Sequence, residues 1–555
     1  MALRVRTPAE AFEAPTPTGS AADAGDVSRR TYAVLVASAL AVAFMVRASF
    51  IFASPFPLND GGLFFVMARD IEAARFGLPA RTSYNGGGIP FAYPPLALYL
   101  AAALERFTPL SLVDALRFVP LVASTSSVGA FFLLARRLLR RREAVAFATF
   151  AMALLPATGT WMIMGGGLTR SVGYTFALLA MHEAHAMYTE RKRRRAVSFG
   201  VLAALTTLSH PEMPVVLAVS TATFFAFEGR NRAGVRSSLL GGAVAAALLA
   251  PWLAAVTAAH GLAPFLAARA SGGASLLYSI GFLARLDFTS PPMFDFIGAL
   301  ALLGVLACLA RREYMLLAWI VAMCFLDPRS VRLGSAAPIA LLSAIGLFGA
   351  VAPLLRSAET SFADAGFGRR LRAARAPAGW LLPAFTAVAI AYSGVASLSY
   401  GTRLLSGMTP DEQSAMAWVA KNTPPDARFV VVTDDGWARD RTSEWFPALT
   451  GRRSVATVQG SEWVTGAYGP MIDQYVDLQA CSRGDSACLA AWSATHGAPY
   501  DYVYIPAIPA RIRELDQGPC CAALRASLAS DPAYERVYDG AGAVVYRRTL
   551  PASAP

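Results

Sequence analysis

Apolar runs of about twenty residues, separated by short polar stretches, recur along the first 400 positions of the chain. A run of that length is what an α-helix needs to cross the hydrocarbon of a bilayer. The pattern predicts spans at 32–53, 115–136, 144–163, 172–189, 237–257, 294–310, 314–327, 335–354 and 378–399. The apolar stretch 196–228 is too long for one straight helix and is interrupted by Ser209-His210-Pro211-Glu212-Met213-Pro214. Its two prolines break a helix, so it reads as two segments, 196–208 and 213–228. The sum is about eleven crossings. In this count 92–106 is not a crossing but a re-entrant or surface helix.

Beyond position 400 the period changes. Asp411 to Lys421 reads as a helix with an acidic first turn, and RFVVVTD from Arg428, DYVYI from Asp501 and AVVYR from Ala543 read as strands. Helices alternating with short buried strands predict a small α/β domain on the membrane body. The fold class is therefore an α-helical polytopic membrane protein with a small C-terminal extracytoplasmic α/β domain. Its divisions are a disordered cytosolic tail over 1–30, a body over 31–400 with an outer loop at 54–92, and the domain over 401–555.

Composition agrees: 55% of the 555 residues are hydrophobic and 15% charged. The net charge of +12 could suggest nucleic acid, but the cations cluster between apolar runs. Arg29-Arg30, the arginines of 136–142, RKRRR at 191–195, Arg230/Arg232/Arg236, Arg311-Arg312 and the arginines of 369–375 all fall on one side of the predicted spans. Positive residues mark the cytosolic side. That places the N-terminus in the cytosol and 401–555 outside, in the plasma membrane of a prokaryote, with the bilayer and not nucleic acid as partner. Four of the six cysteines, Cys481, Cys488, Cys520 and Cys521, lie in the exported domain. Disulfides fit that compartment, with Cys481–Cys488 the local pair. A metal site is the rival reading, but the spacing is not that of zinc ligands and no histidine is close by.

The candidate chemistry sits outside the spans. Asp60, followed by Gly61-Gly62, begins the first outer loop, and Tyr93-Pro94-Pro95-Leu96 ends it. An acid there serves either as a general base or as a cap for the apolar-periodic run LFFVMARDI. The loop resembles that of the membrane-embedded GT-C glycosyltransferases, the group of protein O-mannosyltransferases and aminoarabinose transferases. The resemblance implies a polyprenyl-phosphate-linked sugar donor, a lipid, glycan or protein acceptor, and inverting transfer with Asp60 as base. It implies no certain cofactor and leaves a divalent metal open. The chain departs from the family in having Asn59-Asp60 where many relatives carry two acids, and Tyr93 where they carry histidine. It also has no acid in Gly165-Gly166-Gly167-Leu168-Thr169-Arg170.

Arg170 and Arg332 are candidate clamps for the lipid-linked phosphate, since a guanidinium fork suits that anion. Arg332 stands ahead of Ala336-Ala337-Pro338 much as an arginine does in related enzymes, and Arg329 is its neighbour. Their alternative is to snorkel at helix ends. His210 and Glu212, in the helix break, either bind substrate beside Tyr93 or satisfy freed backbone groups. Glu444-Trp445 and Glu462-Trp463 form either a platform for a sugar or the seam between domain and body. His182-Glu183-x-His185 lacks the zinc-protease spacing and reads as core or cytosolic edge. Asp434-Asp435-Gly436 reads as a turn, and no P-loop or GxGxxG fingerprint is present. Two other classes remain open: a transporter or flippase of a lipid-linked glycan, and a non-catalytic assembly subunit of the same fold.

Overall fold

In the computed structural model, residues 27–272, 275–284, 293–364, 379–507 and 520–549 are described. Most of the expected tail and the arginines of 369–375 lie outside them. Among the described residues five helices are long and apolar enough to cross a membrane: Arg29–Ala53, Leu112–Leu138, Arg232–His260, Ala336–Ala358 and Leu381–Leu404. The pair Arg142–Leu154 and Pro156–Met162, bent by 70°, forms either one broken span or a re-entrant loop. The stretch expected as one span at 144–163 is therefore not one straight helix: Pro156 opens the second piece and cannot continue the first. Met213–Gly229, Phe296–Arg311 and Met315–Leu326 are apolar but shorter. Length and apolarity alone therefore do not yield about eleven crossings.

The break at Leu155 frees helix-end carbonyls inside the bundle. Arg47, only 1% exposed, reaches across from the first helix to fill two of them. Its guanidinium donates to the Ala153 carbonyl at 3.1 Å and the Thr158 carbonyl at 2.8 Å.

Helix Leu96–Phe107 occupies most of the 92–106 stretch. Its 12 residues rise about 18 Å, short of a hydrocarbon core of about 30 Å. It packs its Ala97, Leu98, Ala101 and Ala102 face inward. With Gly62–Ala73 it forms the helical part of the outer loop. At the opposite end of the bundle two arginine clusters meet. Arg137 pairs with Glu190 at 2.5 Å, and Arg195 with Glu183 at 2.8 Å and Glu190 at 3.1 Å.

The C-terminal domain carries a five-stranded sheet ordered β2-β1-β3-β5-β4. β1 is Arg428–Val431, β2 Arg453–Ser454, β3 Tyr502–Pro506, β4 Tyr534–Asp539 and β5 Ala543–Arg548. β1 runs parallel to β2 and β3, whereas β5 is antiparallel to β3 and β4. β1, β3 and β5 are the three expected strands. β2, two residues long, and β4, mostly half-exposed or exposed, lack the apolar run that marks the others. Val430, Val503, Leu478 and Trp492 build the core behind the sheet. Cys481 is bonded to Cys488, with Cα atoms 5.6 Å apart, and Cys520 to Cys521.

Domain and body are stitched together through the outer loop. The Asn59 N–H donates to the Ser406 carbonyl and its side chain donates to the carbonyl of Leu404, the last residue of the last long helix. Asn85 exchanges two hydrogen bonds with Ser454 of β2, at 3.0 and 2.8 Å. Trp445, fully buried, donates its indole N–H to the Asn59 carbonyl and packs edge-on against Phe56 at 4.6 Å.

Candidate active site

Asp60 lies where the first long helix, the outer loop and the C-terminal domain meet. Its carboxylate does not cap the helix it precedes: the cap residue is Gly61, at φ 121°, with no side-chain cap bond. One Asp60 oxygen instead accepts the Gly166 N–H at 2.7 Å. The glycine run at 165–167 makes this contact feasible. A Cβ on Gly165 would overlap the Asp60 carbonyl, and one on Gly166 would strike the Asp60 carboxylate. Where a second acid was sought there is a cradle of backbone.

A second acid is present all the same, supplied by the domain. Glu444, 5% exposed, stands in helix Arg441–Thr450. Its Oε1 accepts the Gly61 N–H at 2.9 Å, and the Tyr84 hydroxyl donates to its backbone carbonyl at 2.6 Å. Both carboxyls line the same cavity. Burial, followed by the charge of Asp60, pushes Glu444 up to about 8. Burial also raises Asp60, but Arg170 and the Gly166 N–H oppose it. Near neutrality Glu444 keeps its proton, while Arg170 and the Gly166 N–H favour the charged form of Asp60. Two carboxyls with different surroundings thus differ in how readily each gives up its proton.

The cavity measures about 720 Å³. Arg170, in the first turn of helix Gly167–Glu190, lines it and donates to the Trp161 carbonyl at 3.1 Å. The Tyr93 hydroxyl bonds Thr169 at 2.9 Å, and its ring meets Phe64 at 4.8 Å and Trp463 at 5.5 Å. In the helix break, the Glu212 N–H donates to His210 Nδ1 at 3.2 Å, so the ring is held with that nitrogen unprotonated. Burial lowers His210 to about 3, which leaves it neutral. Glu212 pairs with Arg329 Nε at 2.6 Å.

Asp60, Tyr93, Arg170, His210 and Glu212 therefore come together on one cavity wall. Arg332 is not among the lining residues; Arg329, three positions earlier, is, and so is Arg269. The domain contributes Trp437, Glu444, Gln459, Glu462 and Trp463 to the facing wall. Of the two Glu-Trp pairs, Trp445 is seam, while Glu462-Trp463 faces the cavity. Nothing local in the sequence joins Glu444 to Asp60, since 383 positions separate the bonded residues. Among the described residues no group of three or more His, Cys, Asp or Glu side chains forms a metal-ligating cluster.

No family model and no curated protein matches the chain. Solved structures do. The oligosaccharyltransferase AglB of Archaeoglobus fulgidus, in complex with an inhibitory peptide and a dolichol-phosphate, aligns at 15% identity over 86% of this chain and 69% of its own, with a TM-score of 0.56. ArnT of Cupriavidus metallidurans, bound to undecaprenyl phosphate, aligns at 14% identity over 95% of this chain and 100% of its own, TM-score 0.57. The arabinofuranosyltransferase AftD from Mycobacteria aligns at 15% identity over 95% of this chain but 42% of its own, TM-score 0.52. All are membrane glycosyltransferases of the GT-C superfamily, and the likeness is one of fold.

Proposed function

We propose that this chain is an integral-membrane, inverting glycosyltransferase that moves a sugar from a polyprenyl-phosphate carrier to an acceptor hydroxyl. The observation that carries the reading is Asp60, a carboxyl group with Arg170 beside it in a large cavity, on a fold shared with enzymes of that donor class. The acceptor oxygen attacks the anomeric carbon and its proton passes to Asp60. The bond from that carbon to the phosphate oxygen breaks, and its electron pair leaves with the phosphate. Phosphate departs as an anion and needs cations rather than an acid. Arg170, Arg269 and Arg329 line the cavity and fill that role in place of Arg332. Tyr93, neutral His210 and Glu212 hold the sugar. One displacement inverts the centre, so Glu444 is not a second nucleophile. It stays neutral beside the base and positions the loop through Gly61.

Eleven crossings, a cytosolic N-terminus and an extracytoplasmic C-terminal domain complete the proposal. The site then faces outward, in the plasma membrane of a prokaryote. The test is release of undecaprenyl phosphate by the purified protein in detergent, from a panel of undecaprenyl-phosphate sugars and acceptors. Release that falls by about a hundredfold in Asp60→Asn, the scale of a lost general base, is expected. No release from any donor by folded protein would move the assignment to a transporter or a scaffold subunit.

A further inference from the structure

The two walls of the cavity differ in kind. The body wall carries every cation that lines it: Arg170, Arg269 and Arg329. The domain wall carries none and offers Trp437, Gln459, Glu462 and Trp463 besides Glu444. An anionic donor belongs on the first wall. The second suits a ligand that is neutral, rich in hydroxyl donors, and has flat C–H faces.

The details sharpen this. Trp463 is 4% exposed, and its indole N–H has no acceptor among the described residues. A buried donor without a partner is costly and calls for one. Tyr93 meets the ring edge-on at 5.5 Å, which fixes its plane. Trp437 is half-buried and set perpendicular to Tyr468 at 5.9 Å, so it presents a rigid aromatic surface. Gln459 donates its amide to the Trp437 carbonyl at 3.3 Å, which leaves its own oxygen as an acceptor. Glu462 accepts the Gly460 N–H through one oxygen at 2.8 Å and has lone pairs to spare. Aromatic faces, a carboxylate and an amide oxygen together recognise sugar rings and their hydroxyls.

We infer that the acceptor is a saccharide, seated on the C-terminal domain by Trp437, Gln459, Glu462 and Trp463, with its reacting hydroxyl directed at Asp60. This rests on the glycosyl-transfer reading and adds the acceptor class to it. The domain is then the specificity element, and the membrane body the donor site.

Labelled full-length protein in nanodiscs would be applied to an array of neutral oligosaccharides that includes mannotriose, maltotriose and arabinofuranotriose. In parallel, undecaprenyl phosphate release would be followed with the same oligosaccharides and with Ser/Thr peptides as acceptors. Retention on at least one oligosaccharide is expected, weakened tenfold or more by Trp437→Ala and several-fold by Trp463→Phe, which keeps the ring and removes the N–H. Gln459→Ala, at a half-buried site, provides a third variant if either indole change unfolds the domain. Retention on no oligosaccharide by folded protein, or retention indifferent to all three variants, overturns the inference. Release driven by peptides and by no oligosaccharide overturns it too while leaving glycosyl transfer intact. Oligosaccharide binding that needs Trp437, without release from any donor, upholds the saccharide site and removes the transfer reading.

Discussion

Asp60 and Glu444 form a pair whose two members behave differently because their neighbours do. Asp60 has Arg170 and the Gly166 N–H; Glu444 has burial and the Asp60 charge. Activity needs Asp60 ionised, so it rises with pH on the acid side. A second transition is expected near pH 8, as Glu444 loses its proton beside the base. Glu444→Gln keeps the acceptor for Gly61 and removes this transition while leaving the acid limb in place. A pH–rate profile of the variant identical to the wild type would refute the pairing. Stability follows the same sign. Glu444 is raised from 4.5 to about 8 on folding, so the stabilisation is full below the lower value and lost as pH rises through the upper. Glu444→Gln should flatten the melting temperature across that window. Asp60 as a candidate was legible in its loop, but not that its carboxylate leaves the helix uncapped. That depended on Gly166, more than a hundred positions away, and on Glu444 taking the Gly61 N–H.

At the scale of elements, the periodicity located most helices, and prolines located the breaks less well. Pro211 and Pro214 were read as a break, whereas Pro156 was not, because the apolar run continues through it. The bend is held by Arg47, which would be costly inside a bilayer without partners. Arg47→Ala leaves the Ala153 and Thr158 carbonyls unpaired, and a loss of about 3 kcal/mol is expected from bonds to a charged donor. It would show as a lower melting temperature in detergent. Gly166→Ala tests the cradle. Its methyl meets the Asp60 carboxylate, so turnover should fall at least tenfold with the melting temperature little changed. A variant of full activity would show that the contact with Gly166 is dispensable.

Across the whole molecule, the domain and the membrane body make one site. Trp445 is the pin between them, and Trp445→Ala should cost about 3–5 kcal/mol at the seam. Limited proteolysis of that variant should release the domain faster than from wild type. The Cys481–Cys488 link closes a short loop inside the domain. Its removal should cost roughly 2.5 kcal/mol by loop-closure entropy, read in the domain's unfolding and not in donor turnover. Membrane embedding, the change of character near 400, the three core strands and the loop that bears Asp60 follow from sequence alone. Each is written in a local repeat of apolar and polar residues or in adjacent residues of one loop. The second carboxyl, the place of Arg329 and Arg269 rather than Arg332 on the cavity wall, and the split of Trp463 and Trp445 into wall and seam were decided only by tertiary structure. They depend on which side chains a packed chain brings within a few ångströms, and no local period records an approach between positions hundreds of residues apart.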